Sequence, residues 1–127
     1  MTIAYWCVLV AIALPYTFTM VAKVGGRMPL RNNSNPREFL ATTTGVAQRA
    51  NWAQLNSFEV TPAFAAAVII AHQIGSAPQS TLDHLAIYFV ISRVLYGICY
   101  IADWPSLRTL VWSAGMALIA GFFVVSA

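Results

Sequence analysis

The sequence has very little charge. Only 9% of its 127 residues are charged, seven Lys or Arg against four Asp or Glu, whereas soluble globular domains have roughly 25%. Hydrophobic residues make up 59% of the chain and the mean hydropathy is +0.69. A soluble fold could not cover its surface with so few charged side chains. The composition therefore predicts a single membrane domain covering residues 1–127.

Cysteine and histidine are also scarce. Cys7 and Cys99 both lie inside apolar runs, so neither a disulfide framework nor a metal site is expected, and both are interpreted as small buried hydrophobic residues. His72 and His84 are isolated near the ends of apolar runs, where a lone His is usually a surface residue. The basic residues lack the interleaved base-stacking aromatics of a nucleic-acid-binding face. No metal and no nucleic-acid partner is therefore predicted.

Long apolar runs are what the sequence does contain. A helix needs roughly 20 apolar residues to cross about 30 Å of hydrocarbon. Four runs have about that length: 3–22, 55–74, 82–102 and 107–126. The first has no basic residue before it and no clear small-residue cleavage site, so it is predicted as a span rather than a signal peptide. The pattern predicts an all-α membrane protein, a bundle of four transmembrane helices.

The basic residues are distributed unevenly around these spans. Most lie in or beside the first connection: Lys23, Arg27, Arg31, Arg37 and Arg49. Arg108 borders the third connection, and the second has no Lys or Arg. By the positive-inside rule, the first and third connections face the cytoplasm and both termini face the opposite side.

The first connection divides into two parts. Gly, Pro and Asn residues are frequent in residues 23–36, which predicts irregular chain at the membrane surface. From about residues 42–44 one long helix is predicted, entering the bilayer near residue 55. Pro62 is expected to kink this helix because it lacks a donor N–H and clashes with the preceding turn.

Two ionisable residues, Glu59 and Arg93, lie well inside predicted spans. An ionisable group facing lipid costs several kcal/mol, so such residues normally face a bundle interior or a wet cavity. Glu59 lies ten residues beyond Arg49, and Arg93 lies ten residues before Asp103. At 1.5 Å per residue each is about 15 Å deep. Because the two spans are antiparallel, the two side chains could meet at one level.

Helical spacing brings further polar side chains to the same faces. Asn56 lies three residues before Glu59, and Tyr96 and Tyr100 lie three and seven residues after Arg93. The arrangement could bind an anionic, hydrogen-bonding ligand that enters from the cytoplasm. It could equally be a structural lock between helices, since polar contacts often join membrane helices and Tyr is common near interfaces. The residues alone leave both interpretations open.

Two segments of the chain match the motifs of a known family. The segment QRANWAQLNSFE has Arg, Ala, Asn and Glu in register with a pattern of Glu-Arg, about three residues, then Ala-His-x-Asn-Asp-x-Glu. The segment RVLYGICYIADWPSLRTLVW has Arg93, Tyr100, Pro105 and Arg108 at positions typical of that family's third span and following turn. With NPREF, these segments resemble bacterial members of the MAPEG superfamily, the membrane-associated proteins in eicosanoid and glutathione metabolism.

The resemblance implies an assembly, a ligand and a site. Family members form homotrimers that bind glutathione between adjacent subunits near the cytoplasmic side, and a bacterial member would lie in the inner membrane. The residues expected to bind glutathione are Arg49, Asn56, Glu59, Arg93, Tyr96 and Tyr100. Arg108 is the expected catalytic residue, because a nearby guanidinium stabilises the nucleophilic thiolate.

The implied activity is that of a glutathione-dependent transferase or peroxidase acting on hydrophobic electrophiles in the bilayer. The alternative is a non-catalytic protein of the same fold that binds a lipid or a protein partner. A small transporter subunit is a third alternative.

The sequence departs from the family pattern at several positions. Gln48, Gln54 and Ser57 replace the Glu, His and Asp of the motif. Trp52 occupies a position that is usually Arg in eukaryotic catalytic members, which removes a charge-assisted contact worth roughly 1.5 to 3 kcal/mol. Tyr96 replaces a residue that is often His in prostaglandin-forming members, so that substrate is not expected here.

Overall fold

The computed structural model describes all residues from Met1 to Ala127. The chain is helical, without strands, and its five α-helices are α1 (Ile3–Gly25), α2 (Pro36–Ala41), α3 (Gly45–Ile74), α4 (Gln79–Ile101) and α5 (Pro105–Ser126). A short 3-10 helix, Leu30–Ser34, precedes α2. Four of the helices, α1, α3, α4 and α5, are long and apolar enough to cross a membrane. This confirms the predicted fold, an integral membrane protein with a four-helix bundle.

An aromatic cluster joins three of the four spans at the centre of the bundle. The rings of Phe64 on α3 and Phe89 on α4 stack with centroids 3.9 Å apart, and Phe122 on α5 meets Phe64 edge-on at 6.0 Å. The first helix packs against this cluster through small residues, Ala4, Cys7 and Ala11. Small side chains let helix backbones approach closely, which is how membrane helices gain packing energy without a hydrophobic driving force.

The end of the bundle that contains both termini is held together by hydrogen bonds. Asp83 on α4 accepts a bond of 2.8 Å from the backbone N–H of Ala4. His72 on α3 lies 3.2 Å from the hydroxyl of Thr2, the N-cap of α1. His72 is half-buried in this contact, so the prediction of a surface residue is wrong for it, whereas His84 is exposed as predicted. The N-terminus of α1 is thus tied to α3 and α4.

The opposite end, called the basic end here, contains residues 26–44 and 102–104. Residues 23–36 are more ordered there than predicted, because α1 continues to Gly25 and Asn35 caps α2 by accepting a 3.4 Å bond from the Glu38 N–H. The turn-forming residues therefore serve as helix caps and tight turns. The third helix begins at Gly45, next to the predicted start, and continues through Pro62.

The turn that ends α1 contains a strained residue. Arg27 has φ of 54°, a left-handed conformation that costs roughly 1–2 kcal/mol for a residue with a side chain. The backbone N–H of Arg27 donates to the carbonyl of Val24 at 3.0 Å, and the N–H of Met28 donates to the carbonyl of Lys23 at 3.0 Å. This pair of bonds is typical of helix ends at which glycine is favoured.

Arg27→Gly is expected to raise the free energy of unfolding by about 1 kcal/mol, because glycine adopts this conformation without a steric penalty. Chemical denaturation in detergent would measure the change. The matched control is Arg31→Gly in the nearby 3-10 helix, where φ is not positive and glycine should give no gain. Equal stabilisation by both changes would contradict the strain argument.

Candidate functional site

An open cavity of about 390 Å³ lies between α3 and α4, toward the basic end. The side chains that line it come from one face of each helix: Trp52, Leu55, Asn56, Glu59, Tyr96 and Tyr100. Four of these, Asn56, Glu59, Tyr96 and Tyr100, are residues that the sequence predicted as a site. The structure therefore brings the polar faces of the two spans together.

The side chains that α3 contributes to the cavity lie on one face of that helix. Trp52, Asn56 and Glu59 are four and three residues apart, so they project from one side of α3. Ala53 and Ser57, next to them in sequence, are buried against the bundle. Glu59 is exposed and Trp52 is 44% exposed. The cavity thus opens outward from the bundle, with a carboxylate at its inner end and an indole nearer the basic end.

Arg93 is the most deeply buried charged residue of the site, at 3% exposure. One of its terminal nitrogens, Nη2, donates to Asn56 Oδ1 at 2.9 Å and to Ser57 Oγ at 3.3 Å. Asn56 in turn donates from Nδ2 to Glu59 Oε2 at 3.4 Å. Arg93 therefore reaches Glu59 through the Asn56 amide, and the direct ion pair considered from the sequence is replaced by this bridged contact.

The geometry of α3 explains this arrangement. Ser57 and Glu59 are two residues apart, so at 3.6 residues per turn they project from nearly opposite sides of the helix. Arg93 lies on the side of Ser57, within the bundle, and Glu59 lies on the open side. The side chain of Asn56 projects from α3 at an angle between these two sides, so its amide bonds to both Arg93 and Glu59.

Two guanidinium groups pack on the tyrosine rings of the cavity. The guanidinium carbon of Arg93 lies 4.2 Å from the ring centre of Tyr96, and that of Arg108 lies 4.3 Å from the ring centre of Tyr100. The two tyrosine rings meet edge-on at 5.5 Å, and Trp52 lies 6.2 Å from Tyr100. These cation–π contacts hold both charges beside the cavity.

Arg108 owes its position to the turn between α4 and α5. Asp103 has φ of 62°, and the N–H of Trp104 bonds back to the carbonyl of Cys99 at 2.9 Å, which closes the end of α4. Pro105 then begins α5, and the backbone N–H of Arg108 donates to the carbonyl of Trp104 at 2.9 Å. The tight reversal returns Arg108 toward the last turn of α4, where Tyr100 lies.

Arg49 has a different place from the other predicted site residues. Its Nε donates to the carbonyl of Ile101 at 3.0 Å, at the end of α4. A cation near the C-terminal carbonyls of a helix is favourable. Arg49 therefore joins α3 to α4 on the basic-end side of the cavity and does not line the cavity.

A second and larger cavity, of about 880 Å³, lies on the neighbouring side of α3, against α1 and α2. Its polar lining includes Lys23, Arg37, Asn51 and Gln54, and the buried Gln54 Oε1 has no hydrogen-bond partner. The sequence did not predict this cavity, because Lys23 and Arg37 were interpreted only as topology signals. The sequence did contain a signal for it. Asn51, Gln54 and Phe58 are three and four residues apart, which places them on one face of α3.

Comparison with known proteins identifies a family. Neither a search of curated proteins nor a search of solved structures gave a match. The family model described as MAPEG family matches residues 3–127, nearly the whole chain. Four membrane-length helices and this match agree with the motifs in α3 and α4, and the chain belongs to the MAPEG family.

Proposed function

We propose that this protein is a glutathione-dependent membrane transferase or peroxidase that acts on hydrophobic electrophiles dissolved in the bilayer. The MAPEG family includes glutathione transferases and peroxidases. The observation that best supports the proposal is the cavity itself, in which a carboxylate, an amide and two phenols lie beside two guanidinium groups. These groups are complementary in charge and hydrogen bonding to the ammonium, carboxylate, amide and thiol groups of glutathione.

The match can be followed group by group. Glu59 is exposed in the cavity and can accept hydrogen bonds from the ammonium of the γ-glutamyl residue. Asn56 and Tyr96 line the cavity beside Glu59 and offer partners for the adjacent carboxylate and amide groups, while the buried Arg93 lies behind them and places a positive charge near that carboxylate. Charge-assisted bonds of this kind are about twice as strong as neutral ones. The inner part of the cavity thus suits the γ-glutamyl end.

The cysteine of glutathione would then lie near Tyr100 and Arg108. The thiolate, rather than the thiol, is the nucleophile, and a nearby guanidinium favours it by lowering the thiol pKa. In a transfer reaction the thiolate sulfur forms a bond to the electrophilic carbon of the second substrate, and the leaving group on that carbon departs with the bonding electron pair, as chloride does from a chlorodinitrobenzene. Leu55 and Trp52 give the cavity an apolar border, along which a lipophilic substrate can approach from the membrane.

We also propose a homotrimer with the basic end in the cytoplasm of a bacterial cell, at the inner membrane. An exposed carboxylate within a membrane span costs several kcal/mol if it faces lipid, and Glu59 is exposed in the isolated chain. Association of subunits over the open side of α3 would remove Glu59 from lipid. Native mass spectrometry from detergent should show three copies.

Binding of glutathione to the purified protein is the direct test. Calorimetry should detect binding, and the complex should conjugate a chlorodinitrobenzene. Glu59→Gln should weaken binding about tenfold to a hundredfold, because a charge-assisted hydrogen bond is worth roughly 1.5–3 kcal/mol. The control Glu38→Gln changes an exposed carboxylate on α2, outside this cavity, and should leave binding unchanged. A wild-type protein that neither binds glutathione nor forms conjugate would contradict the proposal and favour non-catalytic binding of a lipid or a protein partner.

A further inference from the structure

The guanidinium of Arg93 is held inside the bundle by neutral acceptors. Its Nη2 donates to Asn56 Oδ1 at 2.9 Å and to Ser57 Oγ at 3.3 Å. Neither acceptor carries a formal charge, whereas an arginine side chain is always protonated in proteins. Buried charges are normally paired with an opposite charge, because removing an ion from water is costly. Arg93 therefore brings into the bundle a positive charge that these two hydrogen-bond partners do not neutralise.

The contact between Arg93 and Ser57 belongs entirely to one subunit. Each of these two side chains is 3% exposed, so the chain itself covers them and an adjacent subunit cannot contact either one directly. Any group that an adjacent subunit adds lies on the open side of the cavity, beyond Asn56 and Tyr96. The neutrality of the Arg93–Ser57 contact is therefore independent of how many subunits assemble.

A single layer of side chains separates the charge of Arg93 from the cavity. Asn56 and Tyr96 line the cavity, and both contact Arg93, whose guanidinium carbon lies 4.2 Å from the centre of the Tyr96 ring. Glu59 lines the same end of the cavity, where its Oε2 accepts from Asn56 Nδ2 at 3.4 Å. The Asn56 amide thus lies between a negative and a positive charge. An ammonium and a carboxylate on one carbon atom, as in an α-amino acid group, are complementary to this pair.

We propose that Ser57 sets the affinity of the cavity for the carboxylate of such a group, because a neutral residue at this position leaves the charge of Arg93 to act on the ligand. Ser57 does not touch the ligand, so it is a positioning residue that acts through Arg93. The inference rests on the proposed function, in which the γ-glutamyl group of glutathione supplies the ammonium and the carboxylate. Attraction between opposite charges across one side chain is equivalent to roughly tenfold to a hundredfold in a binding constant.

The test compares glutathione with γ-aminobutyryl-cysteinyl-glycine, which keeps the ammonium and the peptide chain but lacks the γ-glutamyl carboxylate. Calorimetric titration of the wild type should show glutathione binding about tenfold to a hundredfold more tightly. Ser57→Asp places a carboxylate against Arg93, so the ratio of the two affinities should fall about tenfold. Ser57→Asn is the matched control, because asparagine has the size of aspartate without its charge and should keep the wild-type ratio.

Ser57→Ala gives a second test that does not require the bundle to accommodate a buried carboxylate. Loss of the hydroxyl acceptor leaves the guanidinium less compensated, so the ratio should rise about twofold to fivefold.

The outcomes separate this inference from the proposed function. A ratio that stays at the wild-type value in Ser57→Asp, or that falls in Ser57→Ala, would overturn the inference alone, since glutathione would still bind. An equal fall in Ser57→Asp and Ser57→Asn would indicate an effect of side-chain size and would also overturn it. Failure of both peptides to bind the wild type would overturn the proposed function and the inference together.

Discussion

Replacing Arg108 with alanine is expected to lower the rate of glutathione conjugation about a hundredfold to a thousandfold, the range found when one preorganised stabiliser of developing charge is removed. The guanidinium of Arg108 lies over the ring of Tyr100, beside the cavity at the basic end of the bundle. Its removal leaves the thiolate without a positive partner, so the thiol form predominates at neutral pH. Stopped-flow measurement of thiolate absorbance and steady-state conjugation should therefore fall together.

Two further variants separate this role from a structural one. Arg108→Lys keeps the charge but loses the planar contact with the Tyr100 ring, so it should recover part of the activity. Arg31→Ala removes an exposed arginine from the 3-10 helix, outside the cavity, and should leave the rate unchanged. If Arg108→Ala conjugated glutathione at the wild-type rate, Arg108 would have no part in the chemistry.

The largest expected effect on stability comes from Gly97→Ala. A Cβ at this position would lie 2.1 Å from Cζ of Phe18 and 2.3 Å from its Cε1, far closer than carbon atoms approach. Phe18 is buried, so the ring cannot simply move into the membrane. Overpacking of this kind typically costs 1–3 kcal/mol, and here about 3 kcal/mol is expected because the tip of the buried ring, at Cζ, points directly at the helix.

Thermal unfolding in detergent would measure this loss, and a second substitution would test its cause. Phe18→Leu removes the ring atoms that clash, so the double variant with Gly97→Ala should be more stable than Gly97→Ala alone. Gly121→Ala is the control, because its Cβ would lie 3.4 Å from Leu85 and alanine favours helix by about 1 kcal/mol. Equal stability of the Gly97→Ala protein and the wild type would show that α1 and α4 can separate without cost.

Gly97→Ala should also weaken ligand binding. Tyr96, the next residue, lines the cavity and packs on Arg93. A shift of α4 away from Phe18 would move both side chains relative to Asn56, which Arg93 contacts at 2.9 Å. Loss of stability and loss of affinity are therefore expected together in this variant.

Much of this architecture follows from local sequence features. Long apolar runs predict the membrane helices because the length of a span is set by bilayer thickness. Helical periodicity placed Asn56 and Glu59 on one face and Tyr96 and Tyr100 on another, and the structure joins these faces in a single cavity. Such predictions succeed because they depend only on spacing within one helix.

Features that depend on the rotation of one helix against another were not predictable. The preference of Arg93 for Asn56 and Ser57 over Glu59 depends on which side of α3 packs against α4. The bond from Arg49 to the Ile101 carbonyl depends on where α4 ends. Periodicity within a single helix contains neither piece of information.

The amide bridge from Arg93 to Glu59 separates two tasks that a direct ion pair would combine. Arg93 holds α3 to α4 through Asn56 and Ser57, while the carboxylate of Glu59 has only a long contact, 3.4 Å, to the same amide. A ligand can therefore engage Glu59 without breaking a salt bridge and without loosening the helix pair. If glutathione binds as proposed, this helix pair need not rearrange, so little of the interaction energy would be lost to reorganisation.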